Sequence, residues 1–190
     1  IVEEGTSYPH DRFPNQDDFM DYWFRGKSTV AAYVPDRAGA AGMVGGFYLK
    51  PNWPGRARQV ANAGFIVAPD WRNKGLGWLL GATMLTYAKQ LGYRGVIFNL
   101  VFSENVVARR LWDKLGFKEL GVIPGAVRKN DGTYQDAMIM FRSLLEANKG
   151  VRPLIFWVRC LNACALAGCS KSSSSSYVVR EASFVSRPKK

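Results

Sequence analysis

Hydrophobic positions along this chain change period several times, and each change marks an element. Residues 60–67 are a short run of β-formers that stops before Pro69. From Leu76 the apolar side chains recur at Leu79, Leu80, Met84, Tyr87, Ala88 and Leu91, the 3.6-residue period of a helix buried on one face, and Gly92 stands where a left-handed cap belongs. Residues 95–101 are apolar almost without a break, which predicts a strand covered on both faces with Asn99 as its one polar interruption. A second helical stripe, Ala108, Leu111, Trp112 and Leu115, runs from a Ser103 cap to Gly116. Residues 117–123 and 137–141 read as two closing strands, with Asn130-Asp131-Gly132 as the turn between them.

Upstream, residues 17–24 have Phe19, Tyr22 and Trp23 at helical spacing, and residues 28–34 and 44–49 are β-rich runs linked through Gly39, Ala40, Ala41 and Gly42. Residues 50–56, with Pro51, Pro54 and Gly55, are loop chemistry that cannot continue a central strand. Residues 1–15 are an irregular lead-in. The order predicts an α+β fold, a mixed and mostly antiparallel sheet flanked by helices, with one parallel pair between the strand ending at Val67 and the strand starting at Gly95.

Everything that plan needs is present by residue 145, so residues 1–145 are expected to form the domain and residues 146–190 a low-complexity, basic tail outside it. Within the tail, residues 153–166 are apolar but broken by Arg159. The stretch falls short of the roughly 18 to 20 uninterrupted residues of a membrane span. Residues 172–176 are a serine run.

Composition alters little. The net charge of +11 resembles a nucleic-acid footprint. Much of it sits beyond residue 150, where Arg152, Arg159, Lys171, Arg180, Arg187, Lys189 and Lys190 meet a single acid, Glu181. Neither a nucleic-acid nor a membrane partner is expected. Cys160, Cys164 and Cys169 lie only in the tail, and His10 is the sole histidine, so no metal site is expected. No leader segment precedes Ile1, which points to a partial or processed cytoplasmic chain; a homodimer is compatible with all of this.

The chemistry concentrates where the strand at 60–67 gives way to Pro69 and a glycine-punctuated loop that opens a helix. Unpaired N–H groups and the positive end of the helix dipole make such a junction an anion site. A P-loop is absent. A dinucleotide fingerprint fails as well, because Gly75, Gly77 and Gly81 are spaced one position too far and no Asp or Glu occurs between Ala82 and Ser103 to bind a ribose.

Arg72-Asn-Lys-Gly-Leu-Gly77 resembles the Arg/Gln-x-x-Gly-x-Gly/Ala signature of the GNAT acetyltransferase superfamily. Asn105-Val-Val-Ala-Arg-Arg-Leu-Trp-Asp-Lys-Leu-Gly-Phe117 is similar to the later motif of the same family, in the expected order. The resemblance implies a GNAT-like sheet whose parallel pair is splayed to take acyl-CoA. Acetyl-CoA is then the co-substrate, and the backbone of Phe65, Ile66 and Val67 lies along its pantetheine arm. Arg72, Asn73, Lys74, Gly75, Leu76 and Gly77 are implied around its pyrophosphate, where the glycines let the backbone approach and the cations add charge. Asn105 and Arg109 come from the second motif, although an asparagine in a first helical turn is also a common cap.

Residues 47–56, 62–65 and 98–102 look like segments of the fungal enzymes that acetylate azetidine-2-carboxylate and related proline analogues. That narrower resemblance implies direct acetyl transfer to a small amine or imino acid, with Asn99 and Asn62 as candidate catalytic or acceptor-binding residues. Asn99 needs a partner in any case, structural or substrate, since an unpaired buried amide costs about 1–3 kcal/mol. The family usually supplies a tyrosine thiol-protonating acid where this chain has Trp112, which is expected to pack instead. Thiolate departure from a thiol of ordinary acidity tolerates that loss. The alternatives are a protein or polyamine acetyltransferase, or a degenerate acyl-CoA-binding module without catalysis.

Overall fold

The computed structural model describes residues 4–10, 15–33, 42–145 and 178–182, the last as backbone alone. The connection at residues 34–41 and the apolar and serine-rich stretches of the tail lie outside the described residues.

A first helix, α1 (Gln16–Phe24), starts at Asn15, whose side chain accepts from the Asp18 N–H, and it places Asp17 and Asp18 at the positive end of its dipole. Strands β1 (Ser28–Tyr33), β2 (Met43–Pro51) and β3 (Val60–Val67) follow. Then come α2 (Leu76–Gln90), β4 (Gly95–Phe102), α3 (Val106–Lys114), β5 (Lys118–Arg128) and β6 (Tyr134–Ser143). The sheet order is β5-β6-β4-β3-β2-β1-β7, where β7 (Val178–Ala182) pairs antiparallel with β1 and is an element the hydrophobic pattern does not announce. All neighbours are antiparallel except β3 and β4. This is the mixed sheet expected.

The apolar stripe of α2 explains why that helix docks where it does. Leu76, Leu80, Met84 and Ala88 are fully buried, each worth up to about 2 kcal/mol for the larger side chains. They lie against β2, where a Cβ on Gly45 would stand 3.3 Å from Leu80 and 3.4 Å from Leu76. Gly92 ends the helix at φ +82°, the left-handed cap its position suggested.

Three expectations change in the structure. Strand β2 continues to Pro51, because the antiparallel ladder with β3 turns that residue's backbone away from β3, beyond the last β1 partner at Ser28↔Leu49, so no N–H is required of it. The cap of α3 is Asn105, not Ser103: its Oδ1 accepts from the Ala108 N–H at 3.0 Å. Finally, Asn99 is exposed rather than buried. The β4–β6 register runs Phe98↔Met140 and then Val101↔Met138, so Asn99 and Leu100 sit at a bulge that lifts them out of the ladder.

The close approach of β1 and β2 yields a stability prediction. A Cβ on Gly46 would lie 2.6 Å from the Val30 carbonyl oxygen, a backbone atom that cannot rotate aside. Gly46→Ala should lower stability in urea unfolding by about 1–3 kcal/mol. Gly121→Ala, with nothing within 4 Å of the new methyl, should change it by less than about 0.5 kcal/mol.

Candidate active site

The parallel pairing of β3 with β4 consists of Val60↔Gly95 and Ala61↔Val96 and stops there. The strands thus part after Ala61, well before β3 ends at Val67. At the fork the Asn62 Nδ2 donates to the Ile97 carbonyl at 3.1 Å, a side-chain bond that follows directly on the last backbone rung. On its other side β3 stays fully paired with β2 up to Gly45↔Val67.

Ladder geometry decides which backbone groups face the cleft. The Ala68 N–H donates to the Val44 carbonyl at 2.9 Å and the Asn52 N–H to the Val60 carbonyl at 2.8 Å. Alternation between these anchors commits Ile66 to β2 and turns the backbones of Phe65 and Val67 the other way, toward the separating β4. Of the three residues expected along an acyl chain, only these two present backbone groups to the gap.

Beyond β3 a single 3-10 turn, Pro69–Trp71, leads into the loop. Asn73 (φ +59°) and Gly75 (φ +83°) are both left-handed, a pattern that points successive N–H groups outward, and a Cβ on Gly75 would meet nothing within 4 Å. No acid occupies the first turn of α2. The Leu76 side chain is fully buried, which leaves only its backbone for a ligand. Gly77 faces Leu111 of α3. Lys74 Nζ stands 5.7 Å from the Trp71 ring centroid.

Three of the expected site residues are held by the N-terminal segment, the irregular lead-in of the sequence. Arg72 donates to both carboxylate oxygens of Glu4, at 2.9 and 3.1 Å, and these hydrogen bonds, aided by its charge, hold the Glu4 carboxyl below the ordinary carboxylate range. Asn105 Nδ2 donates to the Thr6 carbonyl at 3.2 Å, and the Tyr8 hydroxyl donates to the Phe65 carbonyl at 2.8 Å. Burial pushes the Tyr8 phenol well above its usual range. Arg109 instead reaches back to the Ser103 carbonyl at 3.3 Å, bracing the β4–α3 loop.

Asn99 and Asn62 are placed differently. Asn99 Nδ2 donates to Asn52 Oδ1 at 2.6 Å, so its partner is a loop asparagine after β2, whose own Nδ2 is buried with no hydrogen-bond partner. Trp112 is buried and packs on Phe98 at 4.5 Å and on Phe65 at 5.0 Å between ring centroids, as expected of a packing residue.

A second aromatic set lies on the opposite, α1 face of the sheet. The Tyr48 ring covers Gly64, where a Cβ would come within 2.5 Å of it, and the Tyr22 and Tyr48 hydroxyls are 3.1 Å apart. A cavity of about 330 Å³, lined by Tyr8, Phe19, Trp23, Ile66, Val67 and Pro69 among others, opens between α1, the N-terminal segment and the end of β3. Ile66 and Val67 are expected at the site through their backbone; the aromatic side chains Tyr8, Phe19, Tyr22, Trp23 and Tyr48 were not among the expected site residues. The signal that was available is the alternation of Tyr48 with Phe47 and Leu49 on a strand, which puts the phenol on the face opposite α2.

A family model described as the acetyltransferase (GNAT) family matches residues 2–117. The N-acetyltransferase aca1 of Schizosaccharomyces pombe is 36% identical over 164 residues, covering 78% of this chain and 78% of the relative. This chain belongs to the GNAT acetyltransferase family. A GCN5-related N-acetyltransferase from Kribbella flavida has the same GNAT fold, with a TM-score of 0.68 and 32% identity over 76% of this chain and 86% of that chain. The yncA acetyltransferase of Salmonella typhimurium, solved with acetyl-CoA, is similar in fold, with a TM-score of 0.65 at 20% identity, covering 79% and 86% of the two chains. Membership makes the chain an N-acetyltransferase. Among the described residues no helix is long and apolar enough to cross a membrane, and no group of three or more His, Cys, Asp or Glu could hold a metal ion.

In this GNAT domain the Asn62 amide is the first contact past the fork. Asn62→Ala and Asn62→Asp should each destabilise the fold by about 1–3 kcal/mol in chemical denaturation, since both leave the part-buried Ile97 carbonyl without its donor.

Proposed function

We propose that this GNAT enzyme transfers the acetyl group of acetyl-CoA directly to the nitrogen of a small amine or imino acid, with a proline analogue such as azetidine-2-carboxylate as the model acceptor. The observation that carries the reading is the two-rung limit of the β3–β4 pairing beside the glycine loop, which leaves a backbone-lined slot leading to a helix N-terminus. Acetyl-CoA supplies an activated acyl thioester. The residues present fit it: left-handed Asn73 and Gly75 and the first amides of α2 suit a pyrophosphate, with Arg72 and Lys74 adding charge.

Phe65 and Val67 offer backbone groups for the pantetheine amides, in the manner of an added strand, and an N–H there is suited to steady the oxygen of the tetrahedral intermediate. Buried Trp112 leaves no phenol at the second motif to protonate the thiolate; the Tyr8 hydroxyl, on the Phe65 carbonyl, offers a phenol beside the slot in its place. Asn99 and Asn62 are assigned to the acceptor side. The exposure of Asn99 and its contact with Asn52 leave its amide within reach of a ligand, and we place the reaction in the cytoplasm.

Incubating the enzyme with acetyl-CoA and a panel comprising azetidine-2-carboxylate, a polyamine and a lysine peptide, with free thiol as readout, tests the reading. Preference for the imino acid supports it, and turnover confined to the peptide or polyamine overturns the acceptor class. Asn99→Ala is expected to keep coenzyme A affinity while turnover falls by about tenfold or more.

Glu4 competes with a pyrophosphate for the same guanidinium. Glu4→Gln should tighten acetyl-CoA binding by up to about fivefold in calorimetric titration, the scale of a solvent-exposed ion pair.

A further inference from the structure

We infer that Lys27 and Lys50, set against Tyr22 and Tyr48 on the α1 face of the sheet, form an anion subsite that takes the carboxylate of the acceptor. The inference rests on the transfer reading above and names the acceptor class that reading leaves broad: an amine that carries an acid.

Lys27 follows α1 through the left-handed turn at Gly26 and directs its ammonium between two rings, 4.4 Å from the Tyr22 centroid and 4.7 Å from the Tyr48 centroid. Alternation along β2 puts Lys50 on the same face as Tyr48, opposite Asn62 in the β2–β3 register. Two cations thus share one aromatic wall. Ion pairs among the described residues join Arg25 to Asp21, Arg72 to Glu4 and Lys129 to Glu104, and no carboxylate there pairs with Lys27 or Lys50.

The local field shows the consequence of that crowding. Burial first, and Lys50 second, bring the Lys27 ammonium down to about 8, and burial together with Lys27 lowers the His10 imidazole in turn. Ring faces offset part of the cost of a half-buried cation. An anion would offset more, and it would lie beside the Tyr22–Tyr48 hydroxyl pair.

Position ties the subsite to the reaction. The Tyr48 ring lies on Gly64, and the next residue, Phe65, turns its carbonyl into the slot. A molecule held at Lys27 by a carboxylate and presenting a nitrogen to the slot is an amino or imino acid. Two lysines at this wall also repel a polyamine or a basic peptide.

The test compares acceptors that share an amine and differ in the acid: azetidine-2-carboxylate and its carboxamide, proline and prolinamide. The wild-type enzyme should favour each acid in kcat/KM by about tenfold or more, the scale of a charge-assisted contact, and Lys27→Met and Lys50→Met should bring the acid-to-amide ratio close to one. Equal use of acid and amide by the wild-type enzyme, or a preference that survives both substitutions, overturns the subsite.

A second readout separates the two ideas. In NMR titrations of lysine-labelled enzyme with coenzyme A present, the Lys27 side-chain resonance should move with the acid and stay with the amide. If no amine is acetylated at all, the transfer reading fails, and the subsite stands or falls on that titration alone.

Discussion

Two rungs of parallel backbone pairing, Val60↔Gly95 and Ala61↔Val96, hold the two halves of this sheet together, and the rest of the site depends on their being only two. Were β3 and β4 paired along their length, the backbones of Phe65 and Val67 would be spent on β4 and the sheet would present no slot. The fork is maintained from three sides. The Asn62 amide spans its base, the β4 bulge at Asn99 and Leu100 bends one strand away, and the rings of Phe65, Phe98 and Trp112 fill one flank. None of these devices is an energetic extravagance. The Asn62 amide substitutes for a backbone bond that regular pairing would have made, and the rings bury apolar surface where the strands part.

Phe65 and Gly64 divide the two sides of the sheet between them. Phe65 reaches toward α2 and α3 and joins a close-packed aromatic cluster, the interior expected of a hydrophobic core. Gly64, its neighbour, has no side chain because the Tyr48 ring occupies that volume on the α1 face. One face is therefore dry and mechanical, and the other mixes phenols, an imidazole and an ammonium. That asymmetry is what allows a single strand to carry both the framework and the chemistry.

Much of this was legible in the residues. The bounds of β3, the buried stripe of α2 and the glycine loop follow from local pattern, because a strand, a helix face and a left-handed turn are decided by near neighbours. What was not legible depends on long-range pairing. Asn99 reads as buried in an apolar run, yet the register of β6 lifts it out. Ser103 and Asn105 are both competent caps, and only the start of helical geometry at Val106 selects the second. Arg72 reads as a ligand for phosphate; that it has a carboxylate partner 68 residues away is a fact of tertiary structure. Lys27 carries no motif, and its surroundings arise only when α1 is laid on β2.

The grip of residues 4–8 on Phe65, Arg72 and Asn105 has a thermodynamic corollary. A ligand seated on those same groups must first break contacts that help hold the folded chain, so its observed affinity is the intrinsic one reduced by the free energy of that release. Linkage runs both ways: whatever strengthens the segment's hold raises the resting stability of the domain and weakens binding by a matching amount. Heat resistance and ligand affinity in this domain are thus two readings of one equilibrium, and variants along Glu4 to Tyr8 should move them in opposite directions.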